Sequence, residues 1–135
     1  TFEENLSILQ ALLQHPQIEV NARDKYGNSA LDRAILSGNS AGVQALLWHP
    51  KIDINARDTL GNSALARAAA YGNLAFVQAL LQHPKIDINT KNNYGKSALD
   101  YAIDRGNLAI VQALQQHLDA KELAINHVLL RETYG

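Results

Sequence analysis

ARDTLGNSALARAAAYGNLAFVQALLQHPKIDIN, from Ala56 to Asn89, decides how this chain is read. Its register neighbours are ARDKYGNSALDRAILSGNSAGVQALLWHPKIDIN, from Ala22 to Asn55, and TKNNYGKSALDYAIDRGNLAIVQALQQH, from Thr90 to His117. The interval is 34 residues each time, so His49, His83 and His117 fall on one beat. Ahead of them NLSILQALLQHPQIEVN, from Asn5 to Asn21, matches the second half of a line, and LDAKELAINHVLLRETYG after His117 matches nothing. A fixed period of this length is the mark of a repeat architecture, in which one unit cannot bury its apolar face alone.

Each line predicts helix, turn, helix and an extended loop. Ser29, Ser63 and Ser97 precede short apolar runs as N-cap oxygens do. Those runs put Leu31, Ala34 and Ile35 on one face, then Leu65, Ala68 and Ala69, then Leu99, Ala102 and Ile103, at i, i+3, i+4. Gly38, Gly72 and Gly106 supply a left-handed stop, and Asn39, Asn73 and Asn107 cap a second helix at once. That helix carries Val43, Leu46 and Leu47, then Val77, Leu80 and Leu81, then Val111 and Leu114. Pro50 and Pro84 forbid continuation, lacking an N–H and clashing with the preceding turn. In KIDIN the isoleucines alternate inward while lysine and aspartate face water. Asp24-Lys25-Tyr26-Gly27 and its copies make a glycine-bearing turn, with Asp24 and Asp58 as its acceptors.

On these residues the chain resembles the ankyrin repeat over about residues 5 to 118. The family's D-x-x-G appears at Asp24/Gly27 and Asp58/Gly61, with Asn92/Gly95 in the third line; S-A-L replaces T-P-L. Asp32, Ala66 and Asp100 stand where the family has histidine, and HPKIDIN lengthens the family loop by one residue. The resemblance implies an all-α solenoid of stacked helix-turn-helix units with projecting hairpin-like loops. The expected organisation is a partial repeat over 1–21, repeats over 22–55, 56–89 and 90–118, and a capping helix over 119–135. In that cap Asp119 is the candidate N-cap, and Leu123, Val128, Leu129 and Leu130 cover the last repeat; a docking helix or the start of a further domain is the alternative.

The period also answers what the histidines are for. Neighbouring helices pack roughly 8–10 Å apart, too far for imidazoles one unit apart to share an ion held at about 2.0–2.1 Å. The expected role is structural, in the last helical turn, where imidazole meets free carbonyls. No metal site is expected. There is no phosphate-cradling glycine loop, nucleophile elbow or H-E-x-x-H, so neither catalytic residues nor a cofactor is expected. Asp100 and Asp104, at i, i+4, read as a solvated helix face.

Composition narrows the partner. Apolar residues make up 47% of the 135, the formal net charge is −1, and there is no cysteine or methionine. The charge argues against nucleic acid or an anionic membrane, and no apolar run approaches the ~20 residues of a membrane span. The N-terminus lacks a signal pattern, so a cytoplasmic location is expected; the chain is also expected to be a monomer. The missing methionine suggests a processed chain or a piece of a longer product. The resemblance implies binding to another protein through the concave face and loop tips. Carried over by position, the candidate residues are Arg23, Lys25, Tyr26 and Asn28; Arg57, Thr59, Leu60, Asn62 and Tyr71; and Lys91, Asn93, Tyr94, Lys96, Asp104 and Arg105. Tyr26, Leu60 and Tyr94 share one position, either as open anchors or packed on the adjacent finger. Basic residues concentrate on this side, with Arg33 and Arg67 near its edge, which favours an acidic protein segment. Trp48, whose equivalents are glutamines, should face solvent. The competing reading is a targeting or regulatory part of a larger multidomain enzyme, or a secreted effector.

Overall fold

A computed structural model describes residues 9–134; the part of the leading half-repeat that starts at Asn5 and precedes residue 9 lies outside them. Residues 9–13 are helical. Then come α1 (Ala30–Ser37), α2 (Ser40–Leu47), α3 (Ala64–Tyr71), α4 (Leu74–Leu81), α5 (Ala98–Asp104) and α6 (Leu108–Tyr134). Serine hydroxyls cap the first helix of each pair: Ser29, Ser63 and Ser97 accept from the N–H groups of Asp32, Ala66 and Asp100 at 3.2–3.3 Å. Asp32 and Asp100 return the bond to the serine N–H, closing capping boxes. Where the family carries histidine, this chain thus spends two aspartates on helix starts. Asn39, Asn73 and Asn107 cap the second helices.

The core is the seam between units. First helices pack on first helices, α1 on α3 and α3 on α5; second helices pack likewise, α2 on α4 and α4 on α6. Leu47, Leu65, Leu80, Ile110, Leu114, Val43 and Val77 are fully buried along it. Phe76 and Ile110, which the apolar pattern passed over, are core residues, while Leu81, Leu99 and Val111 are only partly buried. Ile54, Ile86 and Ile88 point inward as the alternation predicts, and Ile52 partly so.

Loops are tied to the next unit by a hydrogen-bond ladder. The Asn21 side chain donates to the Lys51 carbonyl at 2.7 Å and accepts from the Asp53 N–H at 2.8 Å. Asn55 repeats this on Lys85 and Asp87 at the same distances. Both bonds of each asparagine amide land on backbone groups that the extended loop leaves unpaired, which explains the asparagine closing KIDIN. His49 joins the same scheme. Its Nδ1 accepts from the Lys51 N–H at 3.1 Å, so Nε2 carries the proton and donates to the Leu13 carbonyl at 3.0 Å. The carbonyl it meets belongs to the preceding unit rather than to its own helix.

Two expectations fail at the C-terminal end. No separate helix starts at Asp119; α6 runs unbroken from Leu108 through it. The cause is Leu118, which stands where Pro50 and Pro84 stop the earlier helices. His117 therefore sits inside a helix, and Leu123, Val128, Leu129 and Leu130 are exposed instead of covering the last repeat. Ile103 is exposed as well, although Ile35 and Ala69 at its position are buried. The next unit's first helix is what covers that position, and α5 has no such neighbour among the described residues.

The buried Nε2 of His117 has no partner among the described residues. Burial, and then the Lys121 ammonium, lowers its pKa below the ordinary 6.5. The unfolded chain therefore takes up a proton that the folded one resists. Stability is expected to fall as pH drops below 6.5 and to level off below the folded-state pKa. His117→Gln should show less of that decline when urea midpoints are measured across pH.

Candidate partner-binding surface

Each finger is an Asx-stabilised turn. The Asp24 carboxylate accepts from the N–H groups of Tyr26 and Asn28 at 2.9 and 3.0 Å. Asp58 does the same for Leu60 and Asn62, and Asn92 for Tyr94 and Lys96. The Asn28 N–H, with help from Arg33 and the Tyr26 N–H, holds the Asp24 pKa below its usual value. These aspartates are turn acceptors, as their position suggested.

Adjacent fingers touch through backbone. Thr59 donates its hydroxyl to the Tyr26 carbonyl, and Asn93 donates its N–H to Leu60 and its side chain to the Thr59 carbonyl, all at 3.0–3.1 Å. Asn62 accepts from Asn92 at 2.8 Å, and Asn28 accepts from Arg67 at 2.6 Å. Arg23 and Arg57 donate to the carbonyls of Arg57 and Lys91 in the next unit. Asn28, Thr59, Asn62, Asn93 and both arginines thus hold unit to unit. What remains open is the apolar column: Tyr26, Leu60 and Tyr94 are 59%, 49% and 70% exposed. These exposures favour open anchors over side chains packed on the adjacent finger, and the bonds between fingers run through Thr59 and Asn93. The Lys25 ammonium lies 5.0 Å above the Tyr26 ring.

Charge on this side is more balanced than the basic count suggested. Asp24 pairs with Arg33, Asp58 with Arg67, and Asp104 with Lys96 at 2.6 Å. Lys96 is therefore tied down, and Asp104 raises its pKa. The third unit changes two positions together. Asn92 and Tyr101 stand where the others have Asp–Arg, and the ion pair becomes a hydrogen bond from the Asn92 amide to the Tyr101 hydroxyl at 2.6 Å. At this place a cleft of about 160 Å³ lies between α3 and α5, lined by Asn62, Ala66, Arg67, Ala70, Tyr71, Tyr101 and Arg105. Among the described residues no carboxylate pairs with Arg105 or Lys91. Sequence reasoning missed Tyr101; its signal was the tyrosine at the third copy of the Arg33/Arg67 position.

On the opposite face Trp48 is exposed, as its glutamine equivalents imply. Its ring stacks on His83 at 5.9 Å, with 23° between the planes. It borders an open groove of about 500 Å³ that also includes Leu13, Ile18, His49 and Pro50. Among the described residues no cluster of histidine and carboxylates is arranged to hold a metal ion, and no helix is long and apolar enough to cross a membrane.

Family models agree with this architecture. One described as ankyrin repeats in three copies matches residues 53–126, and another, ankyrin repeats in many copies, matches residues 12–67. No curated protein matches the chain.

Proposed function

Because this chain belongs to the ankyrin-repeat family, whose repeats generally serve as protein–protein interaction modules, we propose that it captures an acidic, partly apolar segment of another protein along the fingers and the first helices. The supporting observation is the cleft between α3 and α5. Tyr71 and Tyr101 form its sides and Arg105 stands at its edge without a carboxylate partner among the described residues. Tyrosine rings contribute contact area at small entropic cost, and an arginine fork takes a carboxylate in two parallel bonds. A glutamate or aspartate in the segment meets Arg105, and flanking apolar side chains lie on Tyr26, Leu60 and Tyr94. In this reading the chain works in the cytoplasm, without a cofactor and without catalysing a reaction.

The test is affinity capture from a cell extract with three baits: the unaltered chain, Tyr26, Leu60 and Tyr94 all changed to alanine, and Arg105→Glu. Proteins held by the first and lost from the second are the partners. For these, Arg105→Glu should weaken binding roughly three- to tenfold at low salt, and less as screening shortens electrostatic reach. An identical set of proteins on all three baits at every salt concentration defeats the proposal.

A further inference from the structure

Trp48 shows how this chain holds an indole on its outer face. The ring stacks on the His83 imidazole of the next unit, with centroids 5.9 Å apart and 23° between the planes. Its Nε1–H donates to Gln44 Oε1, one turn earlier on α2, at 3.3 Å. Face and polar tip of the indole are thus both satisfied. His83 is set for this by its own loop, since its Nδ1 accepts from the Lys85 N–H at 3.1 Å and fixes the ring.

One repeat earlier the same two groups recur, but the tryptophan does not. Gln10 is the counterpart of Gln44, His49 of His83, and Gln14 of Trp48, each 34 residues back. His49 is fixed in the same way: Nδ1 accepts from the Lys51 N–H at 3.1 Å, and Nε2 donates to the Leu13 carbonyl at 3.0 Å. With both nitrogens committed, the imidazole has only its face to offer. Gln14 does not cover that face as an indole does. His83 is buried, whereas His49 is only partly so. Gln10, Gln14 and His49 all line the groove of about 500 Å³ that Trp48 also borders.

We infer that this groove takes the indole ring of a tryptophan in a segment of another protein. The ring stacks on His49 and donates its N–H to Gln10, as Trp48 does on His83 and Gln44. The exposed Gln14 side chain turns aside to admit it. The groove extends past one ring, and Leu13, Ile18 and Pro50 line the rest. Residues on either side of the tryptophan cover that apolar surface, which a free indole would leave in water. Tryptophan is also a side chain that commonly dominates an interface when its ring enters a pocket. The site lies opposite the fingers and does not depend on the partner proposed for them.

The probe is an acetylated and amidated peptide, serine-valine-tryptophan-valine-serine, followed by NMR shifts of the chain's amides. Matched peptides carry phenylalanine or leucine at the centre, and N-acetyltryptophanamide stands for free indole. The tryptophan peptide should shift Gln10, His49 and Lys51 saturably and bind more tightly than the other three. Gln10→Ala should weaken it about three- to tenfold, the effect of losing one hydrogen bond. The same change should leave the phenylalanine peptide unaffected, because that ring has no N–H to donate. Gln14→Trp puts the chain's own indole over His49 and should abolish saturable binding. Gln14 is exposed, so this variant should keep its fold, which circular dichroism checks. No shifts at millimolar peptide overturn the inference. So do equal affinities for the tryptophan and leucine peptides, and so does a Gln14→Trp chain that binds as the unaltered one does. Equal affinity for N-acetyltryptophanamide and the tryptophan peptide overturns the assignment to a protein segment.

Discussion

Leu80→Ala should remove roughly 2–5 kcal/mol from the stability of the stack. Leu80 is fully buried in α4, the helix that packs on α2 on one side and α6 on the other. Truncation leaves a hole at a junction that no other contact bypasses, because each unit touches only its neighbours. Domains of this size have about 5–15 kcal/mol in total, so the urea midpoint should fall by a large fraction of its value. The transition should also broaden, since weakening the middle seam lets the units on either side unfold separately. Leu60→Ala removes the same atoms from a half-exposed finger tip and should change stability by no more than about 0.5 kcal/mol. Equal losses for the two, followed by circular dichroism in urea, would mean that the seam is not where the stability resides.

The contrast between those two leucines also marks what the sequence could disclose. Helix starts, left-handed glycines and turn acceptors depend on residues within a few positions of one another, and three registers repeated the signal, so they were legible. The ties between units were less so. Asn55 and Arg57 recur at fixed places, but their partners lie 30 and 34 residues away, and nothing local names them. Burial at the end of the stack was misread for the same reason. Ile103 has the same local pattern as Ile35; what differs is whether another unit follows. The continuation of α6 was available in the text, since Leu118 replaces proline, yet the beat of the histidines argued for a stop. On the candidate site, position alone marked Lys96 as a free cation, whereas its charge is spent on Asp104. The openness of Tyr26, Leu60 and Tyr94 could not be chosen from sequence, because it depends on how adjacent fingers, bonded through Thr59 and Asn93, are set against one another.

Those fingers give the second large effect, and Gly61→Ala against Gly95→Ala isolates it. Both glycines adopt left-handed backbone, with φ of 83° and 76°, so alanine at either costs about 1–2 kcal/mol from conformation alone. Their surroundings differ. A Cβ on Gly95 meets nothing within 4 Å, because no further finger follows it among the described residues, whereas a Cβ on Gly61 would lie 2.6 Å from Asn93 Oδ1 and 2.9 Å from the Asn93 backbone nitrogen. The Asn93 side chain can rotate away. The backbone nitrogen can retreat only by stretching its bond to the Leu60 carbonyl, now 3.0 Å, and losing that bond adds roughly 0.5–1.5 kcal/mol. Gly61→Ala should therefore destabilise the chain by about 1.5–3.5 kcal/mol, against about 1–2 kcal/mol for Gly95→Ala. The excess belongs to the contact between fingers, and amide shifts in Asn92–Tyr94 should accompany it for Gly61→Ala. If the two variants lose equal stability and the third finger's resonances stay in place, the fingers stand independently, and their exposed column is not held in line by the bonds between them.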